Sequence, residues 1–195
     1  MKLVDSTIEF AMKAHNGQYR KNIKIPYFSH CMEVMKRVSL YTDDEEILSI
    51  AICHDLLEDT LITYEQLQKH FGDRIARGVK ECTRITGDNA SKLEKYVFLE
   101  SFHSKSLDSI LVKISDRLCN VNDYTTQKGP YYSKYALQAF PLYQAYMLCD
   151  KTTVPHNQEA VHKDLNTLQS LISDNYPLFN IFDPMIQDKV KKIVI

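Results

Sequence analysis

The chain has 195 residues, of which 44% are hydrophobic and 25% charged, and its formal net charge is −1. That length and apolar content suit one domain with a sizeable core, and the near-neutral balance without a basic run argues against a large nucleic-acid footprint. No apolar stretch approaches membrane-spanning length and no apolar signal region opens the chain, so a cytoplasmic protein without membrane contact is expected. Five cysteines (Cys31, Cys53, Cys82, Cys119 and Cys149) are widely spaced with no C-x-x-C pair, which predicts free thiols in a reducing compartment.

Ser6 and Glu9 have capping-box spacing for a first helix, with Val4, Ile8, Ala11, Met12 and His15 as its stripe and Gly17 as its stop. After the loop Gly17-Gln18-Tyr19-Arg20-Lys21-Asn22, a second helix from Ser29 carries His30, Val34, Val38 and Tyr41 on one face. A third is predicted from Glu45, capped by Thr42 and continuing through Asp59, which sets His54, Asp55, Glu58 and Asp59 on the face of Ile47, Leu48 and Ala51. Thr63 and Gln66 cap a short fourth helix that ends at Phe71-Gly72. Asp73 caps a fifth, with Ile75, Ala76, Val79, Cys82 and Ile85 inward. Residues 91–103 form a sixth, using Leu93, Val97, Leu99 or Phe102. The seventh, from Ser106, buries Leu107, Ile110, Leu111, Ile114, Leu118 and Val121. A polar line of Lys113, Asp116, Asn120 and Asp123 runs beside that face. Gly129-Pro130 opens an eighth, which Pro141 must kink or interrupt, and a ninth over residues 156–174 turns Val161, Leu165, Leu168 and Ile172 inward. With no alternating strand pattern, the fold is read as all-α, a helical bundle of about nine or ten helices in a single domain.

Imidazole and carboxylate groups collected on a buried face repel one another and lose solvation, a cost of several kcal/mol per ion. A bound cation is the simplest remedy. Four candidate ligands stand on three helices: His30, His54, Asp55 and Asp116. Mixed nitrogen and oxygen donors without thiolate suit a divalent transition metal, the oxygen-rich set leaning toward Mn2+. Such an ion polarises phosphoryl oxygens and lowers the pKa of bound water. Glu58 and Asp59 lie one turn beyond, where a general acid or base is wanted, and Arg20, Lys21 and Lys113 offer cations for substrate phosphates.

The order His…His-Asp…Asp resembles the HD phosphohydrolase superfamily. Its surroundings resemble one branch, the RelA/SpoT-type hydrolase domains. The matching segments are Ala14-His15-Asn16-Gly17-Gln18-Tyr19-Arg20-Lys21, Pro26-Tyr27-Phe28-Ser29-His30 with Glu33-Val34, His54-Asp55-Leu56-Leu57-Glu58-Asp59-Thr60, the stretch of Phe71-Gly72, Ile75, Gly78-Val79 and Thr83, and Val112-Lys113-Ile114-Ser115-Asp116-Arg117-Leu118-Cys119-Asn120. The resemblance covers roughly the first 125 residues. It implies an all-helical, Mn2+-dependent hydrolase of the stand-alone type, acting on the small-molecule nucleotide (p)ppGpp to release its 3′-diphosphate. Matched by motif, His30, His54, Asp55 and Asp116 are the metal ligands and Glu58 and Asp59 the catalytic acidic pair. Arg20, Lys21, Lys113 and Asn120 fall at substrate-binding positions. A family-like core over about 1–150 and a helical extension over about 151–195 follow from the same match. Thr83-Arg84 departs from the usual Thr-Lys, and residues 128–146 do not align one by one, leaving Lys134 and Tyr135 as weak candidates.

Two other readings stay open: an HD phosphohydrolase on another nucleotide such as NADPH, and a non-catalytic alarmone-binding regulatory domain. His70, His103, His156 and His162 have no partner at ligand spacing, and His15, which the resemblance puts near the site, is assigned to packing. The oligomeric state is not legible.

Overall fold

The computed structural model describes residues 2–20, 24–84, 97–125 and 132–175. Its helices are α1 (Leu3–Ala14), α2 (Phe28–Val38), α3 (Glu45–Cys53), α4 (Leu56–Asp59), α5 (Tyr64–Phe71), α6 (Asp73–Cys82), α7 (Leu107–Thr125), α8 (Tyr132–Leu148) and α9 (Gln158–Asn175), with a 3-10 turn over Ser101–Ser104. Among the described residues the extended pairing is one isolated bridge, Tyr19 to Pro26. The fold is all-α.

The helical periods place most of the core where the sequence predicts it. Val34, Val38 and Tyr41 follow His30 inward, and Leu107, Ile110, Leu111, Ile114, Leu118 and Val121 of α7 are all buried. The helix starts differ more. α1 begins before Ser6, whose Oγ donates back to the Lys2 carbonyl at 3.3 Å, so the expected Ser6–Glu9 box lies inside the helix. Met12 is 49% exposed, and Thr7 takes the inward place, donating to Val4 O at 2.8 Å and Ser49 Oγ at 3.2 Å. Asp44, not Thr42, caps α3 by accepting from the Glu46 N–H at 2.9 Å; Thr42 Oγ1 instead accepts from the Asp44 N–H. The Thr63–Gln66 capping box of α5 forms on both sides as predicted. Gly72, at φ +87°, separates α5 from α6, and Asp73 enters α6 as its first residue with its carboxylate on Gln68 instead of a cap.

Residues 97–100 are helical and lead into the 3-10 turn, with Leu99 and Phe102 buried and Val97 exposed. Ile85, Leu93 and Gly129-Pro130 lie outside the described residues, as does the chain after 175. α8 runs on through Pro141 without interruption. In α9, Val161, Leu165 and Leu168 are buried as expected.

α3 is the central element and packs against α1, α2, α6 and α7, while α7 also touches α2, α8 and α9. α6 approaches α3 closely because Gly78 has no Cβ: one added there would lie 2.4 Å from Ile50 Cδ1. At the far end of α2, Arg37 Nη1 and Tyr41 OH both donate to Asp164 Oδ2 of α9 at 2.6 Å. That pair fixes α2, and with it His30, against the carboxyl-terminal helices.

Candidate active site

The helix expected to run unbroken from Glu45 to Asp59 breaks at the His-Asp pair. α3 ends at Cys53, His54 and Asp55 form the step, and α4 starts from Asp55, whose carbonyl accepts from the N–H groups of Glu58 and Asp59 at 3.1 and 2.9 Å. Asp is a good helix cap, yet the Asp55 carboxylate makes no cap bond to α4. It accepts instead from Tyr27 OH at 2.6 Å and lies 2.9 Å from His54 Nε2. The break therefore separates the four ionisable residues predicted for one buried face. His54 and Asp55 stay inside, Glu58 is half-buried, and Asp59 is exposed.

α2 delivers His30 and α7 delivers Asp116 to the same place. His30 Nε2 is 3.2 Å from Asp116 Oδ1 and 3.9 Å from Asp55 Oδ2, and His54 Nε2 is 3.8 Å from Asp116 Oδ1. One donor atom from each of His30, His54 and Asp116 falls within a 4.8 Å span, all three residues buried. His54 Nδ1 lies 2.8 Å from the Ala51 carbonyl, which can only accept, so Nδ1 carries a hydrogen and Nε2 presents its lone pair inward. Nε2 makes no hydrogen bond to Asp55 despite its closeness, because in this tautomer both atoms are acceptors. A buried imidazole nitrogen aimed at two carboxylates without a hydrogen bond is the geometry of a metal ligand. The residues present fit a divalent ion.

The electrostatics agree. Burial opposes ionisation of Asp55, but His54 beside it holds the carboxyl well below the usual range. Asp116 is likewise held low, against burial, by Lys113 and the two histidines. Burial lowers the pKa of His54, and Asp55 and Asp116 raise it by more. The carboxylates that favour a proton there favour a divalent cation in its place. The buried cations Lys113 and Arg117 face the Asp116 carboxylate, which keeps both acids ionised and available to a divalent ion.

Lys113 and Asn120, read from the sequence as substrate residues, both engage Asp116. Lys113 Nζ is 2.9 Å from Oδ2, and Asn120 Nδ2 donates to Oδ1. Arg20 sits on the loop that pairs Arg20 N–H with Ile25 O and Tyr27 N–H with Gln18 O, and it is half-buried there. Lys21 lies outside the described residues, and so do the side chains of Asp123, Lys134 and Tyr135.

Three contacts were not anticipated. Tyr27 orients Asp55, and its presence in Pro26-Tyr27-Phe28-Ser29-His30 was the available signal. His15, assigned to packing, is buried against Tyr27 with ring centroids 5.0 Å apart and its Nδ1 2.7 Å from Gln18 Oε1; Gln18 Nε2 in turn donates to the Asp59 carbonyl at 2.6 Å. Arg84, noted only as a departure, holds Glu58 through its guanidinium at 2.8 Å and its backbone N–H at 3.1 Å.

The sequence matches the HD domain family over residues 7–145. It is 33% identical over 126 residues to a Xenopus tropicalis protein named guanosine-3′,5′-bis(diphosphate) 3′-pyrophosphohydrolase MESH1, covering 62% of this chain and 69% of that protein. A protein of Aquifex aeolicus named guanosine-3′,5′-bis(diphosphate) 3′-pyrophosphohydrolase is 32% identical over 142 residues, 72% of this chain but 20% of that protein. The chain thus spans about a fifth of that relative, and 16% of the Brucella ovis protein named GTP pyrophosphokinase rsh. A solved structure described as "A metazoan ortholog of SpoT hydrolyzes ppGpp and plays a role in starvation responses" superposes with a TM-score of 0.67 at 23% identity, covering 87% of this chain and 95% of that one. Another, lmo0812 from Listeria monocytogenes EGD-e, gives 0.58 at 17% identity over 74% of this chain and 96% of that one. At those identities the structures establish a shared fold.

Proposed function

The chain belongs to the HD domain family, and from that premise we propose that it removes the 3′-diphosphate of guanosine alarmones, giving GDP or GTP and pyrophosphate. The observation that carries this reading is the convergence of His30, His54 and Asp116 from three parts of the chain on one buried point, with Asp55 Oδ2 2.9 Å from His54 Nε2 and that nitrogen's lone pair left without a hydrogen bond. Relatives named for this reaction support the choice of substrate.

In this reading the four residues hold one divalent ion, Mn2+ by the oxygen-rich donor set. When bound, the ion supplies Lewis acidity for a phosphoryl oxygen and acidifies a water. The chain's own groups do the rest. Ala51 O fixes the His54 tautomer, and Tyr27 OH fixes the Asp55 carboxylate. Lys113 and Asn120 hold Asp116 and temper its charge. Glu58 accepts or returns the proton of the attacking water, with Asp59 orienting it. Arg20 and Lys21 offset phosphate charge. A single domain acting in the cytoplasm completes the proposal; among the described residues no helix is long and apolar enough to cross a membrane.

The test is product release by Mn2+-loaded protein from ppGpp, with NADPH and simple nucleotides assayed beside it. Pyrophosphate and GDP from ppGpp support the reading. Orthophosphate from NADPH with ppGpp untouched moves the same site to another nucleotide, and silence on every substrate with metal bound rejects hydrolysis in favour of a regulatory module.

A further inference from the structure

The Glu58 carboxylate already has a partner. Arg84 Nη2 donates to Oε1 at 2.8 Å and the Arg84 backbone N–H donates to Oε2 at 3.1 Å, so one residue engages both carboxylate oxygens. Both side chains are less than one-fifth exposed, 19% for Arg84 and 18% for Glu58. Arg84 stands where the chain leaves α6 in extended backbone at Thr83. This end of α6 packs on α7, the helix that carries Asp116, with Cys82 Sγ donating to the Ser109 carbonyl at 3.9 Å, and α6 also touches α4, which follows Asp55 directly.

A guanidinium is a planar fork that suits a phosphate as well as a carboxylate, and it stays charged in either setting. A carboxylate committed to that fork has fewer lone pairs to offer a reacting water. We propose that Arg84 is a substrate-phosphate ligand that exchanges partners. Before substrate enters, its guanidinium rests on Glu58. An arriving diphosphate draws the guanidinium across and releases Glu58 for proton transfer, while the backbone N–H keeps Glu58 in position. Phosphate binding and the arming of the proton-transfer group are then one event. This deepens the proposed hydrolase reading and rests on it. The arginine matters for its fork: the lysine usual at this place in the resembled family offers a point charge.

The experiment is calorimetric binding of inorganic pyrophosphate to the Mn2+-loaded protein, as wild type, Arg84→Gln, Glu58→Gln and the double variant, with melting temperature and ppGpp turnover recorded for each. Exchange predicts that Arg84→Gln weakens pyrophosphate by about tenfold and Glu58→Gln tightens it by a similar factor. It further predicts that the tightening disappears when Arg84 is already Gln, because no parked guanidinium remains to release. Arg84→Lys should restore part of the affinity. Tightening by Glu58→Gln of equal size in both backgrounds would mean simple charge repulsion and would overturn the exchange. So would Arg84→Gln that lowers the melting temperature and leaves pyrophosphate affinity intact, which describes a plain tether between α4 and α6. Additive variants in a protein that still hydrolyses ppGpp would reject the exchange alone. A wild type that ignores pyrophosphate and ppGpp alike would reject the hydrolase reading with it.

Discussion

α2 contributes to two buried polar clusters, and they are built on opposite terms. Toward its carboxyl-terminal end, Arg37 and the nearby Tyr41 converge on Asp164, each donating at 2.6 Å to the same oxygen. Near its amino-terminal end, His30 faces His54, Asp55 and Asp116, where His30 Nδ1 and His54 Nε2 are buried without hydrogen bonds and carboxylates crowd together. The first cluster balances its charge with its own residues and ties α2 to α9. The second leaves the His54 Nε2 lone pair without a donor, and that is what a divalent ion would satisfy. Buried polarity marks structure when it is satisfied from within and function when it is left for something else to satisfy.

The largest effect should come from Asp55→Ala, which removes the carboxylate nearest His54. It is expected to abolish Mn2+ retention after gel filtration and to take turnover below detection, with the helical circular dichroism preserved. Glu58→Gln should keep the ion, measured by elemental analysis, and lower kcat by about 10²- to 10⁴-fold; full activity would remove Glu58 from the chemistry. In the satisfied cluster, Asp164→Ala leaves Arg37 without its partner and should cost about 3 kcal/mol in denaturant unfolding, with Mn2+ affinity unchanged.

One substitution made in both clusters sharpens the contrast. Tyr27→Phe deletes the donor to Asp55 and should weaken Mn2+ binding by about 10- to 100-fold with little change in melting. Tyr41→Phe deletes one of the two donors to Asp164 and should cost about 1 kcal/mol of stability while leaving Mn2+ binding as it was. Equal stability losses and equal metal affinities for the two would erase the distinction.

Much of this arrangement is visible in the residues. The three-and-four spacing of α2 and α7 predicts that His30 and Asp116 begin or flank apolar stripes, and both are buried. Periodicity failed at the His-Asp step, because it assumes a continuous helix. A carboxylate that finds a tyrosine hydroxyl and an imidazole across the fold leaves its local cap unmade, and that competition is tertiary. For the same reason the helical period sets Glu58 and Asp59 on the buried face, although α4 turns one toward Arg84 and leaves the other exposed. The start of α1 and the cap of α3 differ from the capping-box pattern because several Ser, Thr and Asp side chains compete for a few free N–H groups, although α3 does begin at Glu45. The link between Glu58 and Arg84 spans 26 positions, and a helical period carries no information over that distance.

The most direct measurement is a Mn2+ titration of melting temperature for the wild type, Asp55→Ala and Asp164→Ala. An ion that binds the folded state must raise the melting temperature in a concentration-dependent way. The comparison of the two clusters predicts a rise in the wild type, the same rise from a lower baseline in Asp164→Ala, and none in Asp55→Ala. A wild-type protein that melts at one temperature with and without Mn2+, or an Asp55→Ala variant that responds like the wild type, would contradict it.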